Sequence, residues 1–160
     1  MTEPRNEPPP VLALARVLHY AVLTSAVKYS GHSSLFVGGV ELGPVPRLAI
    51  CQPLDETTFM LLHCDDDWNV LGSSDHPSIA AAKARAERVY SGVSTCWIDS
   101  HVTEADAAEY VEQVFGDERC RFCGRLPVDV DRLVVHERGG PICNNCIEEL
   151  HAVIHDDSEP

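Results

Sequence analysis

Two pairs of cysteines constrain this chain more than any other feature: Cys120-x2-Cys123 and Cys143-x2-Cys146, with 19 residues between them. Each C-x2-C turn lets two sulfurs face one ion, and two such pairs at this spacing are what a tetrahedral four-cysteine zinc site requires. Gly124, directly after the first pair, suits a knuckle whose backbone N–H groups point at the thiolates. Disulfides would need an oxidising compartment. The opening MTEPRNEPPP does not read as an export signal, because Glu3 and Glu7 precede the apolar run and Arg16 interrupts it. Iron–sulfur ligation normally uses other spacings. The expectation is one structural Zn2+ held by Cys120, Cys123, Cys143 and Cys146 in a cytoplasmic protein. With four protein ligands no coordination position stays open, so the metal stabilises and does not activate water.

A finger of this size buries too little apolar surface to fold without its ion, and the remaining length suffices for one small domain before it. The organisation expected is a disordered, proline-rich arm over 1–10, an α+β domain over 11–116, the zinc-binding domain over 117–155, and an acidic tail over 156–160. Residues 11–29, VLALARVLHYAVLTSAVKY, are apolar almost all round and follow three prolines, which predicts a buried helix. Its β-branched residues leave a strand open as the alternative. A glycine- and proline-rich loop with a short strand near Leu35 to Val37 should follow. Three short strands near 47–52, 57–63 and 68–71 then read as an antiparallel meander.

Pro77 and Ser78 open a predicted helix whose Ile79, Ala82, Ala86, Val89 and Tyr90 share a face, with Gly92 closing it. Val93 to Ile98 reads as a further strand. Thr103 and Asp106 resemble a capping box for a helix ending at Gly116. Between the cysteine pairs, Val128 to His136 and Gly139-Gly140-Pro141 predict a strand pair. After them Ile147, Leu150, His151 and Ile154 recur at helical spacing. The fold class expected is α+β: a small antiparallel sheet with helices, followed by a treble-clef-like four-cysteine finger.

The run CRFCGRLPVDVDRLVVHERGGPICNNCIEEL resembles the N-terminal zinc-binding domain of the ClpX unfoldase, in Phe122, Gly124, Ile142 and Ile147 as well as the cysteines. In that family the domain is a treble clef that dimerises and recognises substrates and adaptors, so the resemblance implies a protein-interaction module. The arrangement departs from the family, for here the finger follows another domain. No G-x4-G-K-[ST] phosphate loop occurs anywhere, so the chain is no unfoldase. A weaker likeness touches the other half. Trp68, a loop, the helix SIAAAKARAERVY, then Gly92 and Trp97 are ordered as in small acidic immunity proteins of bacterial toxin systems.

The chain carries 12 Lys and Arg against 25 Asp and Glu, a formal charge of −13. That disfavours nucleic acid, despite five arginines in the finger, and favours a basic protein partner. The longest uncharged stretch in the N-terminal region, Val17 to Val27, is far short of the ~20 residues that cross a bilayer. Cys96 with His101, and His63 with Cys64 and Asp65, contain the atoms of a nucleophile and base, but neighbours in sequence seldom have the required geometry. His151 and His155 stand four apart and are a candidate second metal pair, or simply solvated surface. The expectation is a non-enzymatic protein that binds and neutralises a basic toxin domain, with Asp65, Asp66, Asp67, Phe122, Ile142 and Ile147 as candidate contacts. The alternative is an adaptor that uses the finger to dimerise and grip client proteins.

Overall fold

The computed structural model describes residues 5–156. Residues 1–4 of the expected arm, and the acidic tail from 157 on, lie outside the described residues. The chain divides into two units between Ala107 and Ala108.

The first unit is built on one antiparallel sheet. Its strands are β1 (Val11–Leu12), β2 (Ala15–Val22), β3 (Lys28–Tyr29), β4 (Phe36–Val37), β5 (Val40–Glu41), β6 (Arg47–Pro53), β7 (Phe59–Cys64) and β8 (Val70–His76). Helix α1 (Ile79–Val89), β9 (Tyr90–Ser91), β10 (Ile98–Asp99) and helix α2 (Glu104–Phe115) follow. The main sheet runs β1-β2-β6-β7-β8, and β10 pairs with β2. Since β6 occupies one edge of β2 along its length, β1 and β10 share the other. The expected three-strand meander is β6, β7 and β8, in register Ile50↔Leu61 and Leu61↔Ser74. The short strand expected near Leu35 to Val37 is half of the small hairpin β4–β5.

The helix expected over 11–29 is instead β1, β2 and β3, the alternative the β-branched residues had left open. Two physical facts explain the error. The sheet is covered on both faces: Ala21 packs with Leu48, Ile50 and Leu61 on the α1 side, while Ala15, Val17 and Tyr20 pack with Ala49, Leu62 and Trp68 on the other. A strand buried on both faces loses its period-2 signature, and a register shift between Val17 and His19 disturbs it further. The turn joining β1 to β2 is made by Ala13 (φ 47°) and Leu14 (φ 58°), both in the left-handed region. Such turns usually advertise themselves as Asn-Gly.

Residues 5–10 also depart from the expected disorder. Val17 donates its N–H to the Pro10 carbonyl at 3.0 Å, and Trp68 Nε1 donates to the Arg5 carbonyl at 2.9 Å. Arg47, buried in β6, donates to the same Arg5 oxygen. Prolines pre-set an extended backbone, and buried Trp and Arg donors need an acceptor, which this segment supplies.

Helix α1 lies against β7 and β8 and buries Ala82, Ala86 and Val89. Ser78 caps it as expected, its Oγ accepting from Ala81 N at 3.0 Å. Gly92 does not close the helix as expected: α1 ends at Val89, Tyr90 and Ser91 form β9, and Gly92, at φ 95°, leads into the turn that follows. The strand expected over 93–98 is reduced to β10, because Glu87 accepts the N–H groups of Gly92 (2.8 Å) and Ser94 (2.9 Å) and winds Val93–Thr95 into a 3-10 turn. The capping box forms: Asp106 Oδ2 accepts from Thr103 N at 2.8 Å, and Thr103 Oγ1 accepts from Asp106 N at 3.1 Å. Among the described residues no helix is long and apolar enough to cross a membrane.

The second unit contains the rest of α2, then the hairpin of β11 (Leu133–His136) and β12 (Gly140–Cys143), then helix α3 (Asn144–His155). The whole is α+β, with the four-cysteine site in the second unit.

Candidate metal centre

Each ligand pair is presented by a local backbone device. The first pair sits on a knuckle: Gly124 adopts φ 74° and returns its N–H to the Cys120 carbonyl at 2.9 Å, and Cys120 N donates to the Arg125 carbonyl at 2.9 Å. A side chain at Gly124 would be strained in that conformation. The second pair sits at a helix start. Cys143 is the N-cap residue of α3 and Cys146 lies in its first turn. The two devices are tied by Arg121 N to the Pro141 carbonyl (2.9 Å) and Asn144 N to the Arg132 carbonyl (2.9 Å).

The four sulfurs lie within 4.8 Å of one another, with Cys123 Sγ and Cys143 Sγ 3.7 Å apart. A tetrahedron of ~2.3 Å Zn–S bonds has edges of about 3.8 Å, so the Cys123–Cys143 pair already has zinc spacing and the others come to it by closing no more than about 1 Å. Cys120, Cys143 and Cys146 are buried and Cys123 is exposed, which leaves the site one solvent-facing side. The N–H groups of Cys123, Cys143 and Phe122 point at Cys120 Sγ and hold its thiol down to about 6, the Cys123 bond contributing most. Burial, and then hydrogen bonding to the neighbouring thiols, pushes Cys146 up to about 12. Four thiols this close cannot all ionise unless a cation neutralises them, which is the chemistry of a divalent metal ligated by thiolates. The set can hold one structural zinc, with no position left for a substrate or water.

The other candidates separate. Asp65 is a turn builder: Oδ1 accepts from Asp67 N and Asn69 N, both at 2.9 Å, and Oδ2 accepts from Asn69 Nδ2 at 3.0 Å. Those bonds hold its carboxyl below the usual range, the Asn69 side chain first. Asp66 is exposed and lies 3.9 Å from Arg47 Nε, and Asp67 is exposed in the same turn. The triplet is thus partly engaged in the fold. His63, Cys64 and Asp65 do not converge, since consecutive strand residues face opposite ways. His63 lies beside Tyr90 on the α1 side, while Cys64 packs with Trp68 on the other. Cys96 packs against the α1-side core and its thiol faces the Gly92 carbonyl, whereas His101 sits by Asp99 at 3.2 Å. No hydrogen bond joins Cys96 to His101 among the described residues.

In the finger, Phe122 is 61% exposed and Ile147 38% exposed, while Ile142 is half-buried against the cysteine cluster and belongs to the finger's interior. Sequence reasoning missed Val153 (75% exposed), Ile154 (74%) and Val135 (70%) as surface residues. Helical spacing marks an apolar stripe without saying whether anything covers it. The usable signal was that a finger whose core is a metal has little else to bury the stripe.

Neither a curated protein nor a solved structure matches the chain. Residues 118–156 match the family model of the ClpX C4-type zinc finger, the same segment in which the four sulfurs converge, so this part of the chain is a zinc-binding segment of ClpX type.

Proposed function

We propose that this chain is a non-enzymatic interaction protein whose zinc finger presents an apolar face to another protein chain. The observation that carries the reading is the contrast within the finger: four converging cysteines that can saturate one metal ion, beside exposed Phe122, Ile147, Leu150, Val153 and Ile154. A saturated zinc offers no chemistry to a substrate, and exposed aliphatic and aromatic side chains beside it are what a protein interface uses. The likeness to the ClpX finger supports the same role, as a dimerisation or client-binding surface.

The test replaces Val153 and Ile154 together with Asp, and separately Phe122→Asp. Self-association is read by sedimentation, and partner capture from the source extract at low and high salt. The reading expects zinc content to stay at one per chain while self-association or capture falls, and the captured complex to survive high salt. Unchanged association in all variants would sink it.

A second reading, neutralisation of a basic toxin domain, is supported by the net charge of −13. It predicts a basic partner whose capture is lost at high salt, because exposed charge pairs are screened beyond a Debye length of about 8–10 Å. Variants Asp66→Asn and Asp67→Asn should then slow association while the apolar variants leave it unchanged.

A further inference from the structure

We propose that His151 and His155 form a second metal site, a bidentate imidazole pair on α3 for a borderline divalent ion such as Zn2+ or Ni2+. The two residues are four apart within an ordered helix, so their side chains leave the same face one turn apart. The structure brings the rings together: their centroids are 4.3 Å apart with the planes at 42°. Two metal–nitrogen bonds of ~2.0–2.1 Å at a tetrahedral angle place the centroids of their imidazoles about 5 Å apart. The ring separation is therefore within about 1 Å of that of a chelating pair, and rotation of the two exposed side chains about χ1 and χ2 turns a nitrogen of each toward a common ion. Both residues are exposed, so an ion has a free approach and the rings have room to turn.

The chemistry differs from that of the four-cysteine site. Imidazole suits zinc, nickel and copper, and a two-nitrogen site lacks the soft thiolates that fix the structural zinc. The first zinc therefore belongs to the cysteines and the second to the histidines. Two coordination positions of the second ion stay open to water or to donors from another molecule. By helical spacing His151 adjoins Ile147 and Ile154, so the open positions lie along the border of the exposed apolar stripe. The site stands on the helix alone and does not depend on what that stripe binds.

The experiment uses the full chain carrying one zinc on its cysteines, under reducing conditions. Zn2+ and, separately, Ni2+ are titrated by calorimetry, with histidine imidazole signals followed by NMR. The expected result is a second equivalent of metal, accompanied by shifts of the His151 and His155 imidazole signals. Removing even an outer-shell partner of a metal ligand commonly costs 10–100-fold in affinity. His151→Ala and His155→Ala should each therefore weaken the second equivalent by roughly tenfold or more, with helix content and the first zinc unchanged. A spacing variant, His155→Ala with Asp156→His, moves one donor onto a different face and should abolish it. Absence of a second equivalent overturns the proposal. So does a second equivalent that survives all three variants or is lost with His101→Ala or His136→Ala.

Discussion

The sheet unit buries Leu48, Ile50, Leu61 and Val93 on the face that α1 covers and Val17, Leu62 and Trp68 on the other. In the finger the buried core cluster is Cys120, Cys143 and Cys146, with Val130, Leu133 and Ile142 half-buried around them. The first unit is held by a hydrocarbon interior, the second by bonds to an ion. The two should therefore fail under different conditions. A domain core loses a few kcal/mol per deleted side chain, whereas a structural zinc contributes ~10–16 kcal/mol of apparent binding energy that is also folding energy.

The largest effect should come from removing the metal. Excess chelator at neutral pH under reducing conditions, or Cys143→Ser, should unfold β11, β12 and α3 while leaving the β6–β7–β8 amides protected, as read by hydrogen exchange. Exposed Cys123 gives the chelator its way in. Equal loss of protection in the sheet would show that the comparison is false and that the units fold as one. Acid should act in the same direction as the chelator, since the ligands must stay deprotonated to hold the ion.

The same contrast explains what was legible in the sequence. Metal ligation is written in four residues at fixed spacing, so the zinc site, its knuckle glycine and its helix start could be located without coordinates. The α1 and α2 starts were legible for a similar reason: Ser78 and the Thr103–Asp106 box are local hydrogen-bonding devices. What escaped depended on distant partners. β2 looked helical because both its faces are covered by segments far away in sequence, and its turn uses Ala13 and Leu14, which carry no turn chemistry. Residues 5–10 looked disordered because their anchors, Arg47 and Trp68, stand some forty to sixty residues later. The exposed stripe of α3 had the right period and no visible sign of being left uncovered.

Next in size is a cavity in the sheet unit. Leu61→Ala, at a fully buried position packed against the α1-side core, should cost about 3 kcal/mol. A denaturant melt followed by Trp fluorescence reads it, and zinc content should not change. If Leu61→Ala also lowered zinc affinity, the division between hydrocarbon and metal cores would have to be abandoned.

A pH titration sharpens the comparison from the other side. His63 is buried between β6 and β8 beside Tyr90, and burial, then the Arg85 charge, lowers its pKa from 6.5 to about 4. The unfolded chain therefore binds a proton between about pH 6.5 and pH 4 that the folded sheet refuses. This contribution is fully present above pH 6.5 and is lost as pH falls toward 4, at most about 3 kcal/mol. His63→Leu should flatten the pH dependence of the sheet's melting in that window, in protein whose zinc has already been removed so that thiolate protonation does not contribute. An unchanged slope would mean that His63 takes up its proton without opening the sheet.

The smallest effect concerns the helix caps. Ser78→Ala removes the acceptor of Ala81 N and should destabilise the sheet unit by about 1 kcal/mol, because α1 depends on its N-terminus for one of its four orphan donors. Ser78→Asp should restore most of the loss, since a carboxylate accepts the same bond and favours the positive end of the helix dipole. The corresponding position in the finger behaves differently. Cys143 caps α3 with no side-chain hydrogen bond to the helix, because its sulfur faces the other ligands. In Cys143→Asp the new carboxylate would be a competent cap, yet it should not restore α3, because a cap contributes about 1 kcal/mol and the missing thiolate contributes to an interaction roughly ten times larger. Circular dichroism of Cys143→Asp beside Cys143→Ser, each with and without added zinc, makes the comparison. Recovery of helix in the aspartate variant without metal would show that α3 is held by ordinary helix energetics, and that zinc adds only a clasp to a finger able to fold on its own.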